Sequence, residues 1–272
     1  MRDRVRTAWA LLLGLLLAAC AAAPAPPLDT TRLAALLPAD AILLGEQHEA
    51  AEHQRLERQV IEWLAARGAL VAVAIEMAEQ GHATTGLPPD ADETAVRARL
   101  AWDDAAWPWA RYGPVVMSAV RAGVPVLGAN WPAARLREAM DDASLDDRLD
   151  AAALEHQRAR IDAAHCGLLP ATRLGAMARV QIARDRAMAQ TIVDAHVPER
   201  TVLLITGGGH TDRNLGVPRH LPPQLRVRVL LALAGGTTDA PASGVDNLHH
   251  GDLVWPTPAL PARDDCAPLR RR

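Results

Sequence analysis

The chain has 272 residues, a formal net charge of -3 and an apolar content of 50%. A chain of this length can bury one large hydrophobic core, so a single globular domain is the default expectation. The slightly acidic balance argues against a nucleic-acid-binding protein, because phosphate backbones are bound by basic patches.

The first twenty residues have the pattern of a bacterial lipoprotein signal peptide. Three arginines among the first six residues precede an apolar run from Ala8 to Ala19, which is shorter than the ~20 residues of a membrane-spanning helix. We expect residues 1–19 to be cleaved and Cys20 to carry the lipid, with an ordinary signal peptide cut near Ala23 as the alternative. Ala21 after the cysteine favours the outer membrane. The predicted location is therefore the bacterial cell envelope, with a lipid anchor.

A tether and one domain follow the predicted lipid site. Residues 20–30 are mostly alanine and proline, which is typical of an extended linker. Residues 31–272 are predicted to form one α/β domain with a mostly parallel central sheet flanked by helices, because short apolar runs alternate with amphipathic segments. The last strand is expected at the sheet edge. The predicted strands are 41–44, 70–75, 124–127, 201–205, 225–233 and 252–255, and the predicted helices are 49–67, 114–122, 132–140, 151–163 and 172–195.

Two glycine-led histidine motifs follow predicted strands. Gly45-Glu46-Gln47-His48 ends the first strand, and Gly207-Gly208-Gly209-His210 follows the strand at 201–205. The carboxyl ends of parallel strands meet at one edge of a sheet, so we expect both histidines to share one site with Glu76, which ends another buried strand. Because loop residues carry little of the core, we expect alanine variants of both histidines to fold and to bind ligand less well.

These motifs resemble those of the ChaN-like haem-binding lipoproteins, and the resemblance covers nearly the whole mature chain. The further segments that carry it are Ile75-Glu76-Met77, Trp109 to Pro114 around Tyr112, His165-Cys166-Gly167, Gln181 to Ala189, Gly216-Val217-Pro218, and Leu253-Val254-Trp255 with Cys266 near the end. The resemblance implies a membrane-anchored lipoprotein that binds haem in iron or haem uptake, as a homodimer and with an outer-membrane haem receptor as a partner. The fold is also similar to that of the erythromycin esterases and of the Tiki and TraB-type proteins.

Haem binding is the first functional hypothesis, since haem needs an axial ligand, apolar walls and cations for its propionates. The iron candidates are His48, His210 and Tyr112. Arg213 and Arg219 are the candidates for the propionates. The remaining haem-binding candidates are His53, Gly208 and Gly209, and the tryptophans that could form walls, with core packing as the alternative, are Trp102, Trp107, Trp109 and Trp131.

A hydrolase is the alternative hypothesis. In this case His48, Glu76 and His210 would be catalytic, either as general bases or as ligands of a divalent ion such as zinc together with Glu46. The sequence lacks the HExxH and Gly-x-Ser-x-Gly motifs of standard metalloproteases and esterases. Since haem ligands and acid–base groups are the same residue types, the sequence alone does not separate the two functions. We favour haem binding over an enzymatic function.

Two further cysteines remain if Cys20 carries a lipid. Cys166 and Cys266 would then lie in an oxidising compartment, where a pair of thiols tends to form a disulfide. We therefore expect a Cys166–Cys266 bond.

Overall fold

The computed structural model of the protein describes residues 28–236 and 251–270. The predicted signal peptide, Cys20 and most of the tether lie outside these ranges. Within them, no helix combines the length and the apolar character needed to cross a bilayer.

Across the described ranges, six strands form one sheet in which every neighbouring pair is parallel. The order across the sheet is β3-β2-β4-β1-β5-β6. The predicted α/β fold is confirmed, and the last strand lies at the sheet edge as expected. The strands are β1 (Ala41–Glu46), β2 (Leu70–Glu79), β3 (Val126–Asn130), β4 (Thr201–Gly207), β5 (Val227–Ala234) and β6 (Leu253–Thr257).

Helices pack on both faces of the sheet. They are α1 (Thr30–Ala34), α2 (Ala51–Ala65), α3 (Glu93–Arg99), α4 (Trp109–Arg121), α5 (Leu136–Asp141), α6 (Ala151–Ala164), α7 (Ala171–Ala195) and α8 (Ala267–Arg270), with 3₁₀ turns at Ala133–Arg135, Ala143–Arg148, Gly208–Thr211 and Val217–His220. Helix α4 begins five residues before the predicted start at Pro114. At its start, the Trp109 backbone N–H has no partner within the helix and donates instead to Asp104 Oδ1 at 2.6 Å.

The strands are apolar on both faces because each face meets a different helical layer. In β1, Ile42 and Leu44 lie in a cluster with residues of α2 and α4. Ala41 and Leu43 alternate with them and pack in a second cluster that contains Met188 of α7. This arrangement explains the continuous apolar runs in the sequence.

The two histidine motifs emerge side by side at the carboxyl edge of the sheet. Strands β1 and β4 are neighbours, and Glu46 is in register with Gly207. The loops pack closely, since a Cβ atom on Gly45 would lie 3.0 Å from the Cα of Gly208. The two loops thus meet at one edge of the sheet, as expected from the sequence.

Candidate functional site

The two histidine motifs line one cavity of about 650 Å³ at the carboxyl edge of the sheet. The same cavity is lined by a segment near the end of the chain, called here the C-terminal wall: Leu260, Pro261, Arg263 and Asp265. Cys266, directly after this wall, is joined to Cys166 by a disulfide. The expected Cys166–Cys266 bond is present in the structure. This disulfide connects the C-terminal wall to the segment that follows α6.

His48 is held on the cavity lining by a buried carboxylate. Its Nδ1 lies 2.8 Å from Glu46 Oε1, and the Tyr112 hydroxyl donates to the same oxygen at 2.8 Å. Gln54 donates to the other oxygen of Glu46. Burial raises the pKa of Glu46, but the hydrogen bonds from His48, Glu57 and Tyr112 and the charge of His48 together outweigh burial and leave this pKa below its ordinary value. Glu46 is therefore an ionised acceptor.

The ionised Glu46 sets the direction of the His48 ring. Burial lowers the pKa of His48, but the hydrogen bond to Glu46 and the charge of Glu76 outweigh burial and raise it. Since Nδ1 faces an acceptor, it is the donor nitrogen, and Nε2 is left for a ligand. A Cβ atom on Gly207 would lie 3.0 Å from this Nε2, so glycine leaves room for the imidazole.

Aromatic rings pack behind His48. The Trp107 ring meets the imidazole edge-on with centroids 4.9 Å apart, and it lies 5.8 Å from the Tyr112 ring. Trp102 and Trp109 pack against each other at 4.9 Å in the adjoining core. Trp131 lies elsewhere, beside a second cavity. Of the four tryptophans proposed as walls, Trp107 is the one that contacts a cavity-lining histidine.

His210 is clamped between two buried carboxylates. Its Nδ1 lies 2.6 Å from Asp185 Oδ1, its Nε2 lies 3.6 Å from Glu76 Oε1, and 13% of its side chain is exposed. Burial lowers the pKa of His210, but the charges of Asp185 and Glu76 outweigh burial and raise it to about 10. His210 is therefore an imidazolium at neutral pH and has no free lone pair for a metal or an iron atom.

Glu76 is fixed by donors on its other oxygen. Thr206 Oγ1 and the Gly207 backbone N–H each donate to Glu76 Oε2 at 2.8 Å. Although burial raises the pKa of Glu76, the charge and hydrogen bond of His210, the charge of His48 and the hydrogen bond from Gly207 together outweigh it and hold the pKa far below its ordinary value. Glu76 thus holds both ends of the second histidine loop, because it contacts Gly207 and His210.

The sequence analysis did not identify Asp185 as a site residue, although its partner His210 was expected. Asp185 is a buried carboxylate on α7, and its neighbours Ile182 and Met188 lie in the core. A signal was present, since an aspartate on the apolar stripe of an amphipathic helix needs a buried partner. The cationic His210 supplies that partner.

A second buried carboxyl group, Glu57 of α2, also lies outside the sequence-based site. Burial and the charge of Glu46 raise the pKa of Glu57 well above its ordinary value. A hydrogen bond between the Glu57 and Glu46 carboxyl groups raises the pKa of Glu57 further. Glu57 is therefore a neutral carboxylic acid beneath the Glu46–His48 pair.

Two of the haem-ligand candidates are occupied by internal contacts. Tyr112 is buried beneath His48, and its hydroxyl is committed to Glu46. His53 is fully buried; its Nδ1 accepts from the Gln47 backbone N–H at 2.9 Å, and its Nε2 lies 2.8 Å from Thr257 Oγ1. Burial lowers the pKa of His53 to about 4, so it is a neutral structural residue.

Neither predicted propionate arginine lies in the cavity lining. Arg213 pairs with Asp252, and Arg219 lies 3.5 Å from Asp150 Oδ2 beside the second cavity, where the turn Val217–His220 places it. Other arginines lie at the site: Arg263 is on the C-terminal wall, Arg111 donates to the His48 carbonyl at 2.6 Å, and a Cβ atom on Gly209 would lie 2.7 Å from the guanidinium of Arg160.

The described residues contain no group of three or more histidine, cysteine, aspartate or glutamate side chains that could hold a metal ion. The predicted divalent-metal site of His48, His210, Glu76 and Glu46 is therefore not supported. The physical reason is that His210 is a cation, while Glu46 and Glu76 already accept hydrogen bonds from other residues.

The fold and site define a parallel α/β protein with a ligand cavity at the carboxyl edge of its sheet. The chain belongs to the family described as haem-binding uptake, Tiki superfamily, ChaN, whose model matches residues 32–221. The resemblance found in the sequence is thereby confirmed.

Two solved structures are similar to this chain. The structure described as cofacial heme binding to ChaN of Campylobacter jejuni is 22% identical, with a TM-score of 0.62, and the match covers 78% of this chain and 88% of that one. The type III effector HopBA1 is 13% identical, with a TM-score of 0.45, over 81% of this chain and 88% of that one. No curated protein matches the chain.

Proposed function

We propose that the chain binds haem in the cavity between the two histidine loops and the C-terminal wall, with His48 Nε2 as the iron ligand. The observation that carries the proposal is the fixed Glu46–His48 pair, which leaves one imidazole nitrogen for the cavity. A carboxylate on the far side of a ligating histidine fixes its tautomer and increases its basicity. Haem would contribute iron and two propionates, and our candidate for a propionate is Arg263, which lines the cavity and pairs with Asp265 at 3.0 Å.

The cavity fits such a ligand in size and in composition. Its volume of about 650 Å³ lies within the usual range of cofactor pockets. Trp107 supports the His48 ring, and Leu260 adds an apolar side chain that is 37% exposed. Family membership supports the same ligand, and the Campylobacter jejuni protein is described as binding heme cofacially. By analogy, we propose that two copies of this chain assemble around the bound haem.

A hemin titration of the His48→Ala variant tests the iron ligand. We expect hemin affinity to fall at least ~10-fold and the Soret band to shift, because the iron loses its axial donor. The matched control is His82→Ala, since His82 lies on the turn after β2 and does not line this cavity. Circular dichroism of both variants checks folding. Equal hemin affinity in His48→Ala and in the wild-type protein would refute His48 as the ligand.

A general-base hydrolase is the second candidate function. The Glu46–His48 pair favours it, because a carboxylate that orients an imidazole is the arrangement of a general base, and the His210 cation could stabilise negative charge nearby. The deciding measurement is hydrolysis of chromogenic esters by haem-free protein. Turnover that disappears in His48→Ala would support the hydrolase, whereas haem binding as the sole function predicts no turnover above buffer.

We also propose that Cys20 anchors the protein to the outer membrane, where it would serve haem or iron uptake and exchange haem with a receptor. Cys20 follows Leu17-Ala18-Ala19, and the proline-rich tether follows it. We expect Cys20→Ala to move the protein from the membrane fraction to the soluble fraction, because no acyl chain can then be attached. Washing the membranes with high salt controls for peripheral binding. A Cys20→Ala protein that still fractionates with washed membranes would contradict the anchor.

A further inference from the structure

A second and larger cavity lies beside α7, away from the histidine loops. Its volume is about 840 Å³. We call it the arginine cavity, after the basic residues that four separate elements contribute to its lining. Arg135 comes from the turn Ala133–Arg135, Arg148 from the turn Ala143–Arg148, Arg186 from α7, and Arg219 and His220 from the turn Val217–His220.

The guanidinium groups of this cavity have few direct partners. Among the described residues, Arg148 and Arg186 form no ion pair within 4.0 Å, although their charges help to lower the pKa of Asp142 in the same lining. Arg219 has one acidic neighbour, the exposed Asp150, at 3.5 Å.

Acidic residues also line the cavity. Glu138 is paired with Arg135 at 2.8 Å, and Asp142 accepts hydrogen bonds from the backbone and the hydroxyl of Ser144. Asp147 is the third acidic residue of the lining. With four arginines, three acidic residues and a neutral His220, the lining carries a net charge of +1.

The His220 side chain also has an unsatisfied hydrogen-bonding atom in this cavity. Its Nε2 is buried, and it has no hydrogen-bond partner within the described ranges. Burial and the charges of Arg186, Arg219 and Arg148 lower the pKa of His220 to about 4, which also shows that all three guanidinium groups lie near it. A neutral imidazole with a free ring position inside a cationic cluster can still bond to a ligand that brings its own hydrogen-bonding group.

We propose that the arginine cavity binds a phosphate group through Arg148, Arg186 and Arg219. Guanidinium forks match phosphate oxygens in pairs, and three of them suit a group with several oxygens and up to two negative charges better than a single carboxylate. The bound anion would relieve the repulsion between the clustered cations. The Trp131 ring, with Arg135 over its face at 4.3 Å, borders the same cavity and leaves space for an organic part of the ligand.

Inorganic phosphate is the first probe, added to the soluble mature protein at constant ionic strength. We expect phosphate to raise the melting temperature above that in matched chloride, and isothermal titration to give a saturable site. Arg186→Gln and Arg148→Gln should each weaken this site at least ~10-fold, because each removes one charged fork. The matched control is Arg137→Gln, an exposed arginine of α5 outside the cavity lining.

Vesicles distinguish a lipid headgroup from a free phosphate. Flotation of the unlipidated protein with phosphatidylglycerol vesicles, but not with phosphatidylcholine vesicles, assigns the site to a headgroup if Arg186→Gln abolishes it. Saturable phosphate binding without flotation assigns it to a free or small phosphorylated ligand. The proposal is overturned if phosphate acts no more than chloride and vesicle binding is absent, or if Arg137→Gln weakens binding as much as Arg186→Gln. Hemin affinity should be the same in Arg186→Gln and wild type, so this test is independent of the haem proposal.

Discussion

Replacing His210 by alanine is expected to lower the free energy of unfolding by about 3–5 kcal/mol. The imidazolium lies 2.6 Å from Asp185 and 3.6 Å from Glu76, and both carboxylates are buried. The alanine variant keeps these two carboxylates without their cation, which is the most destabilising way to break a buried ion group. From the sequence, both histidines are expected to be dispensable for folding, but the burial of His210 argues against this expectation for His210.

Urea denaturation of matched variants measures this difference. His48→Ala is the control, because 32% of the His48 side chain is exposed and its removal leaves Glu46 with donors from Tyr112 and Gln54. A compensating change sharpens the test, since Glu76→Gln in the His210→Ala background removes one of the two unpaired charges and should recover part of the lost stability. Equal unfolding free energies for His210→Ala and His48→Ala would contradict the clamp.

The same clamp gives the wild-type protein a characteristic dependence on pH. The pKa of His210 is raised from 6.5 to about 10, so the folded protein holds a proton that the unfolded chain releases above pH 6.5. This contribution is complete below pH 6.5, decreases as pH rises above that value, and is lost once pH passes about 10. We expect unfolding free energy to fall over this window in the wild type. The His210→Ala variant should lack this slope.

Local patterns were sufficient for the sheet and for the meeting of the two histidine loops. Each motif follows a strand of continuous apolar residues by a short glycine-led step, and parallel strands bring such steps to one edge. The expectation that the two histidines share one site used only this symmetry, and the structure adds that β1 and β4 are neighbours. The register of Glu46 with Gly207 then sets both loops at the same height.

The roles of individual polar residues needed tertiary information. Tyr112 and His48 are 64 positions apart, and only the packing of α4 against β1 shows that the hydroxyl serves Glu46 instead of a ligand. The C-terminal wall is a similar case, because residues 260–265 reach the cavity after β6 pairs with β5. Arg213 and Arg219 follow His210 closely in sequence, yet the chain turns away from the cavity before it reaches Arg219. Closeness to His210 along the chain therefore did not predict which arginines line the cavity.

The Cys166–Cys266 disulfide should have the second large effect, on stability and on ligand retention. It joins residues 100 positions apart. In the chain-entropy model a loop of that length stabilises the fold by up to about 4–5 kcal/mol, and most measured disulfides contribute about 2–4 kcal/mol. Cys166 also has a φ of 60°, a left-handed conformation that is costly for a residue with a side chain, and the covalent bond helps to hold it.

We expect the Cys166→Ser/Cys266→Ser variant to unfold at lower urea concentration, with a loss of about 2–4 kcal/mol. Because Cys266 directly follows the C-terminal wall, we also expect bound hemin to leave this variant several-fold faster, measured by transfer to apomyoglobin, while the Soret band stays in place since His48 is unchanged. Wild-type protein reduced with dithiothreitol is the matched control and should behave like the variant.

Thiol counting on denatured, unreduced mature protein checks the bond itself, and two free thiols would contradict it. If stability falls but hemin release does not change, the disulfide supports the fold and the C-terminal wall does not retain the ligand.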